Sequence, residues 1–270
     1  MIFLTGYHRT GTSSIYYDLC SRTKQRLFYP PARPLSKLIN SLAETTLDQD
    51  VFYPSTSEIS EIHSKVIQKF ITEVYGDCND FFLKSTDFIV NASYILNVIA
   101  GSRIIVIIRN PLPTISSLLR TREQELESQD ERNQEALQIA KEYCSTYNSV
   151  MNIERKFRER IFFVKYETFC QDPREYLEPL KNFTGNNFSD TVDPHESAIF
   201  YEKYEIFTKL ISTQPYWKNF VTPYTGKKIS SAPSKINTSR PYNFDQLETL
   251  SYVKDNLDPI LIDSEMIRLA

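Results

Sequence analysis

The feature that most constrains this chain lies at its start. An apolar run, Ile2-Phe3-Leu4-Thr5, breaks directly into Gly6-Tyr7-His8-Arg9-Thr10-Gly11-Thr12-Ser13. Helical apolar spacing then resumes through Ile15, Tyr16 and Leu19. A short β-prone run, a turn with two glycines and an amphipathic stretch read as a buried strand feeding a helix N-terminus. Such a junction gathers free backbone amides at the positive end of a helix dipole, which is a ready anion site. A purely structural strand-to-helix turn also uses glycines, so the turn alone leaves both readings open.

The spacing is Gly-x4-Gly followed by two hydroxyl residues, Thr12 and Ser13. The nucleoside-triphosphate loop of that spacing has a lysine after its second glycine. Here Thr12 stands there, which argues against an ATPase, a GTPase or a kinase of that class.

Three further apolar runs have the length and flanks of buried strands: Phe81 to Leu83, Ile104 to Ile108, and Ile161 to Val164. Asn110-Pro111 and Asp172-Pro173 each put a capping side chain before a proline, a helix-start signature. Leu177, Leu180 and Phe183 recur at helical spacing before Gly185, a helix with a C-terminal stop. Ser57 to Tyr75 and Glu131 to Phe157 are helical by pattern, and the charged stretch from Thr121 to Glu135 is expected to be exposed. Strands alternating with helices predict an α/β fold, a three-layer parallel sheet flanked by helices. Ligands of such sheets bind at the carboxyl ends of the strands. Gly6 to Ser13, Lys84 to Thr86 and Arg109-Asn110 all fall there.

Length and composition fit one globular domain: 270 residues, 41% hydrophobic, with no repeat and no low-complexity tract. The formal charge of −3 argues against a nucleic-acid binder. Its distribution is uneven. From Met1 to Ala43 the only acid is Asp18, against Arg9, Arg22, Lys24, Arg26, Arg33 and Lys37, and from Ile206 to Phe244 there is no acid at all. Two basic segments at opposite ends of the chain suit either convergence on a small polyanion or a solvated surface. Cys20, Cys78, Cys144 and Cys170 form no CxxC pair, so reduced cysteines are expected. No apolar run approaches the roughly 20 residues that span a bilayer. The start lacks a basic region followed by a long apolar stretch, and a cytoplasmic enzyme is expected.

Gly-x-x-Arg-Thr-Gly-Thr-Ser, from Gly6 to Ser13, resembles the 5′-phosphosulfate loop of sulfotransferases that use 3′-phosphoadenosine 5′-phosphosulfate (PAPS), usually GxxRSGTT. Arg103 to Pro111, continuing to Ser116-Ser117-Leu118, resembles the family's 3′-phosphate element, in which an arginine ends a strand and a serine lies eight residues later. Arg109 and Ser117 have that relation. Tyr166-Glu167-Thr168-Phe169 with Asp172-Pro173 is similar to the family's YEDL…DP segment, whose tyrosine borders the adenine pocket. A base contact or a core position is open for Tyr166. Lys84-Ser85-Thr86 resembles the KTP or NKDP element, whose lysine reaches the transferring group. Ser234 to Arg240 resembles, more loosely, the closing segment of the tyrosylprotein members.

The resemblance implies the P-loop NTPase-like sulfotransferase fold as one domain over 1–270, with the basic segment 206–244 closing the donor site. It implies PAPS as donor and PAP as product, with no metal. Donor-binding residues carried over are Gly6, Arg9, Thr10, Gly11, Thr12, Ser13, Arg109, Ser117, Tyr166, Ser234, Lys235 and Ser239. Arg9 and Lys84 are suited to stabilising charge on the transferring group. The implied acceptor is a hydroxyl on a carbohydrate, a tyrosine or a small alcohol. One element is missing: the glutamate found after the first helix in many relatives has no counterpart in Leu27 to Arg33. His8 within the loop or an acid near Glu44 is the favoured base, with Asp48, Asp50, Glu58 and His63 as other candidates. Loss of the base also leaves open a noncatalytic PAPS- or PAP-binding protein of the same fold.

Overall fold

The computed structural model describes residues 1–23, 32–47, 56–75, 82–122, 125–190 and 243–263. Four strands form its centre: β1 (Ile2–Gly6), β2 (Phe82–Lys84), β3 (Arg103–Ile108) and β4 (Ile161–Lys165). They pair in the order β2-β1-β3-β4, every pair parallel. Side chains alternate across a strand, so a continuous apolar run supplies two opposite faces. Phe3, Leu83, Ile104, Val106 and Ile108 enter one core, whereas Ile2, Leu4, Phe82, Ile105, Ile107 and Val164 enter the other. That double burial explains why the strands read as apolar runs with no polar alternation.

On the Ile2 and Leu4 face lie α1 (Thr12–Thr23), α7 (Tyr166–Gln171) and α8 (Arg174–Thr184). The Phe3 face is covered by α2 (Arg33–Leu47), α3 (Thr56–Tyr75), α4 (Ala92–Val98), α5 (Pro111–Leu119), α6 (Gln129–Lys156), α9 (Gln246–Asn256) and α10 (Pro259–Asp263). The three layers are those expected from the alternation of strands and helices. Arg160 fixes where β3 begins: its guanidinium donates to the carbonyls of Leu96 (2.8 Å), Ile99 (3.0 Å) and Ser102 (2.7 Å).

Local signals account for several helix ends. Asn110 caps α5, its side chain accepting from Leu112 N–H at 3.1 Å with Pro111 first in the helix. Gly185 ends α8 at φ 79°, donating to the Lys181 carbonyl at 2.7 Å. Ser128 and Glu131 form a reciprocal capping box at the start of α6, a pairing that the Ser-x-x-Glu spacing encodes. Asp172 caps α8 in the same way as Asn110 caps α5: its backbone is extended, Pro173 after it is already helical at φ −57° and ψ −25°, and its side chain accepts from Arg174 N–H at 3.1 Å. Its carboxylate also binds the Arg174 guanidinium at 2.8 Å.

Arg22 also departs from the sequence reading, which grouped it with an open basic segment. It is buried in α1, paired with Asp18 at 2.5 Å and donating to the carbonyls of Ser189 and Asp190. Its charge anchors the chain beyond α8. Burial raises the Asp18 carboxyl above its usual range, and Arg22 offsets part of that. Cys20, Cys144 and Cys170 are free thiols, and Cys78 lies outside the described residues. No helix among the described residues is long and apolar enough to cross a membrane.

Candidate functional site

The loop between β1 and α1 closes on itself. The Tyr7 carbonyl accepts both the Thr10 amide (3.3 Å) and the Thr10 hydroxyl (2.7 Å). Arg9 at φ 65° and Gly11 at φ 87° are left-handed, on either side of Thr10. Alternating φ signs turn successive amides toward a common concavity, and the first amides of α1 have no partner inside the helix. The two glycines are required for different reasons. A Cβ on Gly6 would sit 2.5 Å from the Ile107 carbonyl and 2.8 Å from the Thr10 hydroxyl, so Gly6 serves the contact with β3. A Cβ on Gly11 would lie 2.1 Å from Tyr166 Cε2, in addition to its positive φ.

Thr10, assigned as a donor ligand, turns its side chain into the loop. It is fully buried, with its hydroxyl spent on Tyr7, and holds the turn. Ser13 meets Lys84 from the end of β2, whose ammonium donates to the Ser13 hydroxyl at 3.1 Å. Burial drives the Lys84 ammonium down to about 8, against the opposing field of Asp87.

Arg9, Arg109 and Ser117 form a connected set. Arg109 Nη1 donates to the Arg9 carbonyl at 3.0 Å, and Arg9 Nε donates to the Ser117 hydroxyl at 3.0 Å. The Arg109 guanidinium lies over the Tyr166 ring, 4.7 Å from its centroid. Its Nε is buried without a hydrogen-bond partner among the described residues. Tyr166, 3% exposed, is therefore a packing platform that wedges Gly11 and carries Arg109. It starts α7 rather than ending a strand. His8 and Arg9 are exposed on the crest of the loop, and the His8 ring packs edge-on against Tyr7 at 5.9 Å.

Arg9, Lys84 and Arg109 thus approach one loop, and none is within ion-pair distance of a carboxylate among the described residues. Cations gathered with no carboxylate at ion-pair distance, beside amides and hydroxyls, make an anion cradle. The donor set suits a phosphate or sulfate group. Among the described residues, no three His, Cys, Asp or Glu side chains stand together as metal ligands.

Some sequence assignments fall elsewhere. Ser234, Lys235 and Ser239 lie outside the described residues, as do Asp48, Asp50 and all of 206–244 except Asn243 and Phe244. Phe244 is buried against the core of the α6 side, and the Asn243 carbonyl accepts from Gln129. His63 is engaged by the Tyr94 hydroxyl of α4 at 2.7 Å. Residues that sequence reasoning missed include Asp87, whose carboxylate accepts from Ser36 at 3.1 Å at the same strand end as Lys84. Its place three residues after Lys84 was the available signal. Glu167 accepts from Asn110 N–H at 2.9 Å, and its other oxygen is buried without a hydrogen-bond partner among the described residues. Tyr143 and Tyr147 of α6 also reach the site, with only core-like helical spacing to announce them.

Comparison with known proteins bears on the family and the fold. A model described as "Sulfotransferase family" matches residues 2–190. Among solved structures, the sulfotransferase domain from the Synechococcus PCC 7002 olefin synthase is similar at TM-score 0.50 and 15% identity, over 94% of this chain and 93% of that one. The sulfotransferase domain from the curacin biosynthetic pathway gives TM-score 0.44 and 18% identity over 70% and 75%. A sulfotransferase from Alicyclobacillus acidocaldarius gives TM-score 0.45 and 14% identity over 80% and 98%. At 15% identity the first of these likenesses is one of fold. No curated protein matches the sequence.

Proposed function

Since the chain belongs to the sulfotransferase family, we propose that it takes a sulfuryl group from PAPS and passes it to an acceptor hydroxyl on a carbohydrate, a tyrosine or a small alcohol, releasing PAP. The observation that carries this reading is the cluster of Arg9, Lys84 and Arg109 around the loop, none of them ion-paired among the described residues, with Ser13 and Ser117 bound into it. PAPS supplies an activated phosphosulfate together with a second phosphate on the ribose. The amides from Gly11 onward, with Thr12, Ser13 and the Arg9 guanidinium, hold the 5′-phosphate. Arg109 and Ser117 hold the 3′-phosphate. Because Arg109 binds the Arg9 carbonyl and Arg9 binds Ser117, the two subsites are mechanically joined.

Lys84 delivers positive charge where the bridging oxygen gains negative charge on bond cleavage. Its burial excludes water, which strengthens the interaction. His8 on the loop crest takes the acceptor's proton, and Asp87 is the carboxylate at the same strand end against which that role is tested. The proposal includes the acid-free segment from Ile206 to Phe244, with Ser234, Lys235 and Ser239, as the closing wall of the donor site.

The test is calorimetric titration with PAP, and with ATP as control, of the wild type, Arg9→Ala and Arg109→Ala. Loss of one charged contact weakens PAP binding by about 10- to 100-fold. A folded wild-type chain that does not bind PAP refutes the reading. Tight PAP binding with no turnover of labelled PAPS across sugar, phenol and alcohol acceptors identifies a noncatalytic binder instead. His8→Ala and Asp87→Asn are then compared at saturating PAPS. The variant that loses turnover while keeping PAP affinity marks the base.

A further inference from the structure

The longest helix, α6, contributes nothing to the loop, strand-end or proline motifs that identify the site. Three of its side chains nonetheless reach it. Tyr143 and Tyr147 are one turn apart, on the same face, and both are fully buried. A buried tyrosine hydroxyl must find a partner, and a phenylalanine fills nearly the same volume without that demand. Packing alone therefore does not call for tyrosine at either position.

The hydroxyls are spent on backbone at the carboxyl ends of two strands. Tyr147 Oη donates to the Ile107 carbonyl at 2.7 Å and accepts from Tyr7 N–H at 3.3 Å, so one oxygen joins the end of β3 to the loop after β1. Tyr143 Oη donates to the Arg109 carbonyl at 2.7 Å. The rings pack against each other at 4.6 Å, and Tyr143 packs against Tyr7 at 5.7 Å. Tyr7 is held in turn through its own hydroxyl, which donates to Glu142 of α6 at 3.0 Å. The backbone on either side of the cradle is thus fastened to a single rigid helix.

We infer that Tyr143 and Tyr147 are positioning residues of the donor site, Tyr143 setting the placement of Arg109 for a nucleotide's 3′-phosphate and Tyr147 setting the loop for its 5′-phosphate. The path runs from the Tyr143 hydroxyl to the Arg109 backbone, from the Arg109 guanidinium to the Arg9 carbonyl, and from Arg9 to Ser117. Burial raises both phenol groups well above their ordinary range, which favours the protonated, donating form. The inference rests on the proposed use of PAPS.

The experiment compares PAP with adenosine 5′-monophosphate, which lacks the 3′-phosphate, by calorimetry on the full chain. The ratio of the two affinities reports the Arg109 contact, and a merely structural role would lower both affinities without moving the ratio. The wild type is expected to prefer PAP by about tenfold or more, and Tyr143→Phe to lose most of that preference. Tyr147→Phe is expected to weaken both nucleotides alike. In an Arg109→Ala background, Tyr143→Phe should cause no further loss of PAP affinity. An unchanged ratio in folded Tyr143→Phe, or the same loss in both backgrounds, overturns the inference and leaves the donor reading intact. Failure of Tyr143→Phe to fold also overturns it, because the hydroxyl would then serve the fold as a whole. A wild type with no preference for PAP, by contrast, removes the donor reading and the inference with it.

Discussion

Replacing Gly11 with alanine tests how the loop is held against its platform. At φ 87° any side chain is strained, at about 1–2 kcal/mol for a left-handed L-residue. The new methyl would also lie 2.1 Å from Tyr166 Cε2 and 2.2 Å from Cδ2, far inside contact distance. Tyr166 is 3% exposed and bears the Arg109 guanidinium at 4.7 Å, so it has no free space to retreat into. Overpacking of this kind costs about 1–3 kcal/mol. Together the two effects give about 2–5 kcal/mol, measured by urea unfolding followed by circular dichroism. The contributions separate in a double-mutant cycle with Tyr166→Ala. Without the ring, Gly11→Ala should cost only the dihedral strain of about 1–2 kcal/mol. Equal costs in the two backgrounds would refute the wedge, and a cost under about 1 kcal/mol in the wild-type background would refute the strain as well.

Lys84 and Arg22 give two further tests. The Lys84 ammonium titrates at about 8 in the fold and near 10.5 when unfolded, so between those values the unfolded chain binds more protons and stability rises with pH. The rise is about 3 kcal/mol, and Lys84→Met should remove it from unfolding curves taken at stepped pH. The kcat/KM for the donor should move the opposite way, falling as pH passes about 8 and the charge is lost from the free enzyme. A wild type and Lys84→Met with parallel stability profiles would contradict the buried ammonium. Arg22→Ala should destabilise by about 3–5 kcal/mol, because it strands the Asp18 carboxylate and frees the Ser189 and Asp190 carbonyls. Asp18→Leu with Arg22→Met should recover much of that in thermal unfolding. No recovery would place the stabilisation in the two carbonyl contacts.

The parts of this molecule that were legible in its sequence are those specified locally. Strands buried on both faces must be apolar throughout, so β1, β3 and β4 were readable as runs, and Asn110-Pro111 and Gly185 marked helix ends by their own backbone preferences. The loop was readable because a glycine-rich strand-to-helix turn has few structural solutions. Pairings across the chain left almost no trace. The Tyr143 hydroxyl meets a carbonyl 34 residues away and Tyr147 one 40 away. In the sequence both look like ordinary core positions of an amphipathic helix. Arg22 counted as open charge for the same reason, since only the fold brings the Ser189 and Asp190 carbonyls 167 and 168 residues along to meet it. Thr10 shows the limit at its sharpest. Its neighbours Arg9 and Gly11 take positive φ, which rotates the Thr10 hydroxyl inward onto Tyr7 and leaves Thr12 and Ser13 to begin the helix. Motif spacing identifies which residues belong to such a loop, but the signs of its backbone dihedrals decide which side chains turn inward to build it.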